Sequence, residues 1–61
     1  MELFEYMKKK GVSVQSLADA LGISRQAAYL KIGGSRKWTL EEAHVVKRVL
    51  NMTDEEYMLF F

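Results

Sequence analysis

Arg25, Lys31, Arg36 and Lys37 all fall within residues 22–38, a stretch that contains no acid. Cations at this density, with no carboxylate among them, present a surface suited to a polyanion. The other reactive side chains assemble into nothing comparable. Ser13, Ser16, Ser24 and Ser35 each have a local capping or turn explanation, and no base and orienter can be set beside them. His44 is the single histidine and cysteine is absent, so neither a metal site nor a disulfide framework is expected. The run Gly33-Gly34-Ser35-Arg36-Lys37 lacks the Lys-Ser/Thr ending and the preceding strand of a nucleotide-phosphate loop. Catalysis and cofactor chemistry are therefore not expected, and binding is.

The elements that position these cations must come from a chain of 61 residues. A domain of this size buries only about 60% of the surface its unfolded chain exposes. Apolar packing has to hold it, and a composition that is 49% hydrophobic suits that task. Net charge is only +1, but its distribution is uneven: residues 24–38 carry +4 and residues 39–61 carry −3. Glu2 and Glu5 stand where a secretory leader would have its basic region, and no apolar run reaches the roughly 18 residues of a membrane span. A location in the reducing cytoplasm of a bacterial host is expected, with no membrane partner.

Periodicity predicts an all-α domain of five short helices over residues 1–61, without strands. The first spans residues 2–10, with Leu3, Phe4 and Met7 on one face. Lys8, Lys9 and Lys10 crowd its last turn, where cations suit the negative end of the helix dipole, and Gly11 stops it. Ser13 caps a second helix over residues 14–21, whose apolar stripe is Val14, Leu17, Ala18 and Leu21. Gly22 turns the chain, Ile23 plugs the turn and Ser24 caps a third helix over residues 25–32. Gly33-Gly34 closes that helix ahead of a basic loop over residues 35–38. Thr39 and Glu42 form a capping box for a fourth helix with the stripe Leu40, Ala43, Val46 and Leu50, ended by Asn51. Thr53 and Glu56 repeat the box for a fifth helix over residues 54–59. Trp38 reads as a lid on the core, and His44 as structural or exposed. The tail Tyr57-Met58-Leu59-Phe60-Phe61 has two readings: a cover for the core through Tyr57 and Phe60, or an exposed surface of Met58, Leu59 and Phe61 for self-association.

Residues 14–32 have an internal grammar with physical causes. Ala18 is small where two steeply crossing helices come closest. Gly22, four residues on, permits a positive φ in a tight turn. Ile23 and Ala28 attach the turn to the pair, and the leading half of the third helix is left stripped of large apolar groups.

In that grammar the segment SVQSLADALGISRQAAYLKIGG resembles the helix-turn-helix of phage Cro and repressor proteins, the lambda-repressor-like or XRE family. The motif covers about a third of the chain, and five helices in so short a domain add to the likeness. The resemblance implies that the start of the third helix enters the major groove of duplex DNA, with Ser24, Arg25, Gln26 and Tyr29 at base edges. The chemistry is compatible: an arginine fork matches the two acceptors of guanine and a glutamine amide matches adenine. Tyr29 lies one turn on, within reach of a base, a thymine methyl or a phosphate, and Leu30 sits at the groove edge. Arg25 and Gln26 also read simply as solvated residues of good helix propensity. The likeness further implies phosphate contacts from Gln15 and Ser16 at the start of the second helix, and from Lys31, Ser35, Arg36 and Lys37 on the far side. Many relatives carry glutamine at the first position of that second helix, where this chain has Val14. The implied activity is that of a sequence-specific DNA-binding regulator, a Cro-like repressor acting as a homodimer on operator DNA. The antitoxin of a toxin–antitoxin pair and an anti-repressor interaction module are the alternatives.

Overall fold

The computed structural model describes residues 2–61. Five helices follow in order: α1 (Leu3–Lys10), α2 (Val14–Leu21), α3 (Arg25–Ile32), α4 (Leu40–Val49) and α5 (Asp54–Phe60). No strand occurs among the described residues, and no helix of them is long and apolar enough to cross a membrane. The domain is all-α, as the periodicity predicts.

Side-chain caps set most of the boundaries. The hydroxyls of Ser13, Ser24, Thr39 and Thr53 each accept an amide N–H from the residue three positions on. Thr39 with Glu42 and Thr53 with Glu56 complete both capping boxes. Glu2 occupies the cap position of α1 without a side-chain bond, so that helix starts one residue later than expected. α4 ends at Val49 with Leu50 as its cap, ahead of Asn51, which takes the turn with φ +52. α5 runs one residue further, to Phe60.

The first four helices each contribute a narrow strip to the core. Leu3, Tyr6 and Met7 come from α1, Leu17 and Ala18 from α2, Ala28 and Ile32 from α3, and Ala43 and Val46 from α4. Leu50 and Met52 complete it from the α4–α5 connection. α2 packs against both α3 and α4. Phe60 folds over this core, its ring edge-on to Tyr6 at 5.4 Å.

Three side chains depart from the sequence reading. Leu40 is 70% exposed rather than part of the α4 stripe. It is the first helical residue, and helical side chains lean towards the N-terminus, which carries this one past the end of the packed face. Trp38, two residues earlier, packs against the core instead. Phe4 lies at the edge of the α1 stripe, half-exposed, and Tyr6 takes the buried place at i+3 from Leu3. Burial first, and the Glu56 carboxylate second, push the Tyr6 phenol above its ordinary 10.0. Tyr57 does not join the core. It stacks outside it, 6.0 Å from His44 and 5.2 Å from Phe61, whose ring continues to Trp38 at 5.7 Å.

The bend between α2 and α3 rests on Gly22, at φ +69 and ψ 29. Its N–H bonds to the Asp19 carbonyl at 3.2 Å, and the Ile23 N–H to the Ala18 carbonyl at 3.1 Å. A Cβ placed on Gly22 meets nothing within 4 Å, so only the backbone conformation resists a side chain there. Gly22→Ala is therefore expected to destabilise the fold by about 1 kcal/mol. In a thermal melt followed by circular dichroism that is a loss of roughly 4–8 °C for a domain of this size; an unchanged midpoint contradicts the assignment.

Candidate nucleic-acid interface

α3 is attached by one side only. Ala28 and Ile32 are buried, Ala27 is half-buried, and Arg25, Gln26, Tyr29 and Leu30 are exposed. Four-residue spacing sorts the exposed side chains into two neighbouring rows, Arg25 with Tyr29 and Gln26 with Leu30. Ser24 stands at the head of both. Its Oγ accepts the Ala27 N–H at 3.1 Å, which leaves the hydroxyl proton free to donate outwards.

The first row leans on α1. The Arg25 guanidinium carbon lies 5.6 Å from the centre of the Tyr29 ring, and that ring lies 5.8 Å from Phe4, tilted by 39°. The second row leans on the loop. Ser24, Gln26, Ala27, Leu30 and Arg36 line one shallow depression of about 300 Å³. Arg36 arrives there because the Leu30 carbonyl accepts the N–H groups of both Ser35 and Arg36, at 2.9 and 3.3 Å. Gly34, at φ +88, makes the turn that brings them back. The structure thus gathers Ser24, Gln26 and Arg36, all singled out in the sequence, around one hollow. Among the described residues Arg36 and Lys37 form no ion pair, and both are exposed.

Lys31 is placed differently from its expected role at a phosphate. Its ammonium is 2.7 Å from Glu42 Oε1 and 3.2 Å from the Lys37 carbonyl oxygen, which accept its protons, and it lies 5.9 Å over the Trp38 ring. Its charge is matched inside the protein, because α4 begins with a carboxylate held in a capping box directly beneath it. Lys31, expected at a phosphate, here fastens the basic loop to α4, with its charge turned to Glu42. Glu42 thus serves both as the cap of α4 and as the partner of Lys31.

At the start of α2 the two expected phosphate ligands are engaged locally. Ser16 receives the Ser13 hydroxyl proton at 2.9 Å and gives its own N–H to Ser13 Oγ at 3.1 Å. Gln15 donates its side-chain amide to Asp19 Oδ1 at 2.9 Å. Both side chains are exposed, so these bonds compete with water and can exchange for an anion. The amides of Val14 and Gln15, in the first turn, have no acceptor within the helix and point past its end.

The electrostatics under the loop can be titrated. The Lys31 ammonium first, and the Thr39 N–H second, hold the Glu42 carboxyl below its ordinary 4.5, against the opposing effect of burial. A carboxyl with a depressed folded value stabilises the fold above its unfolded value, and that contribution is lost as pH falls through the folded value. Glu42→Gln keeps a carbonyl oxygen for the cap and removes the charge. At pH 7 it is expected to cost about 1 kcal/mol, and the gap to the parent protein should close progressively below pH 4.5. Urea unfolding across a pH series reads this out, and a gap that persists undiminished in acid contradicts the pairing.

Compared with family models, with curated proteins and with solved structures, the chain matches none.

Proposed function

We propose that this protein is a sequence-specific double-stranded-DNA-binding transcriptional regulator, a Cro-like phage or prophage repressor that reads the operator major groove with α3. One observation carries the reading. α3 buries Ala28 and Ile32 while its leading end exposes Arg25 and Gln26 beside a hollow that also holds the unpaired Arg36. A donor-rich, acid-free helix start of that kind suits base edges, with a cation alongside for the phosphate backbone.

In this reading Arg25 presents its fork to guanine and Gln26 its amide to adenine. Tyr29 supports the first, and Ser24 donates its free proton at the head of the helix. Arg36, Lys37 and Ser35 grip phosphates on one side of the groove. The amides of Val14 and Gln15, with Gln15 and Ser16 side chains released from their local bonds, grip them on the other. The protein works as a binding module, not an enzyme, and needs no cofactor: it occupies a site and excludes a competitor.

A single α3 gives few contacts, so two copies on half-sites about 34 Å apart complete the reading. Leu40 at the start of α4 and Met58 and Leu59 in α5 are 70%, 77% and 78% exposed. Exposed apolar side chains of this kind suit an association surface, and a second copy is the occupant this proposal requires. Met58→Glu with Leu59→Glu is expected to leave the monomer folded and to abolish cooperative occupation of a two-half-site duplex, as read by sedimentation and band-shift titration.

Selection of binding sites from random duplexes, followed by affinity measurement across a salt series, tests the proposal. Affinity should fall steeply with salt, as it does when cations displace condensed counterions. Arg25→Ala and Gln26→Ala should each relax preference at a different base pair by roughly 1–3 kcal/mol. Lys37→Ala should weaken all sites alike and lower the salt slope by about one per protomer. A chain that enriches no duplex sequence and binds none at low salt is not a DNA reader, and a protein-interaction module then takes its place.

A further inference from the structure

We infer that Phe4 of α1, which lies outside the α2–α3 pair, is a positioning residue for base reading, acting through Tyr29 to hold the Arg25 guanidinium in place. This rests on the reading of α3 given above. The three groups are linked in sequence, here called a column: Phe4 to Tyr29 at 5.8 Å between ring centres tilted by 39°, and Tyr29 to the Arg25 guanidinium carbon at 5.6 Å. Arg25 and Tyr29 are four residues apart on α3, one turn along the same face.

Neither member of the upper pair is fixed by the core. Tyr29 is 42% exposed, and Arg25 makes no ion pair among the described residues. An arginine at a helix start samples many rotamers in water, and every one lost on binding weakens the complex. A ring face offers the guanidinium a flat, weakly negative platform. The platform only helps if the ring itself stands still. Leu3 and Met7, on either side of Phe4 along α1, are buried in the core and fix the register of that helix. Phe4 therefore projects from a rigid element, between two surface depressions, with its ring 5.8 Å from that of Tyr29. The column transfers the rigidity of the core to a solvent-facing cation.

The test compares Phe4→Leu, Phe4→Tyr, Tyr29→Leu and the parent protein, first without DNA. In NMR spectra of the free protein the Arg25 side-chain methylene protons should be shifted upfield by the Tyr29 ring. The shift should vanish in Tyr29→Leu, shrink in Phe4→Leu and return in Phe4→Tyr, with amide spectra confirming an unchanged fold. Each variant is then titrated against a selected duplex and its single-base-pair substitutions. Phe4→Leu should lose about two- to fivefold in discrimination at the base pair whose preference Arg25→Ala abolishes, in line with the worth of an exposed cation–π contact. It should lose nothing at the pair read by Gln26, and its salt dependence should be unchanged. Unaltered Arg25 shifts in Phe4→Leu overturn the inference, as does a loss spread evenly over all base pairs or tighter binding by the variant. If the parent protein binds no duplex while the Arg25 shifts respond as described, the column is real and the DNA reading is what fails.

Discussion

The close packing of α2 on α3, with Ala18 and Ala28 both fully buried, is the constraint from which the rest of the molecule follows. Small side chains let two short helices approach; a larger one at either place would push α3 outwards and rotate its exposed rows away from the loop. The same economy leaves α3 weakly anchored, since it contributes only Ala28 and Ile32 to the buried core. A helix with so little apolar attachment takes its position from its neighbours. The chain supplies three such supports: Gly22 at the entry, the Leu30 carbonyl with its two bonds from the returning loop, and the Lys31–Glu42 pair beneath.

Local signals made most of the architecture legible in the sequence. Caps are short-range chemistry, so Ser13, Ser24, Thr39 and Thr53 marked four helix starts, and the glycine at position 22 marked the turn. The exposure of Arg25 and Gln26 followed from the buried alanine two residues further on. What escaped was what depends on a partner distant in the chain. Met52 is buried from the α4–α5 connection, where no helical periodicity reports it, and the ring of Phe60, which comes from α5, meets Tyr6 from far along the chain. Leu40 fits the α4 stripe by spacing and misses it by direction, because its side chain points off the end of the helix. Phe4 looked like one more residue of an apolar face; only the arrival of Tyr29 beside it gives it another part.

Lys31 shows why a count of cations overstates a binding surface. The sequence places four in an acid-free stretch, yet an acid eleven residues from Lys31 folds beneath it and matches its charge. The acidic final third is reduced in the same way: Glu42 is turned towards Lys31, and Asp54 pairs with Lys47 across the α4–α5 connection. The outward positive charge of the region is thereby concentrated on Arg25, Arg36 and Lys37. Charges matched within the fold contribute little field at a distance, whereas unmatched ones are felt out to a Debye length of about 8 Å at physiological salt. The loop is fastened by one cation so that its neighbours can point away.

The two exposed rows of α3 are therefore held by different means, and the difference has a consequence for how such a surface can change. Arg25 and Tyr29 neighbour α1 through Phe4, whose ring lies 5.8 Å from that of Tyr29. Gln26 and Leu30 border a hollow whose far wall is Arg36, set by backbone bonds that persist whatever side chain replaces the loop residues. A substitution in α1 thus acts on the first row alone, and a change in loop composition acts on the second through charge rather than position. Because the rows share the Ala28 and Ile32 anchorage but lean on different neighbours, the side chains of one can change without displacing the other, provided that the alanines beneath stay small.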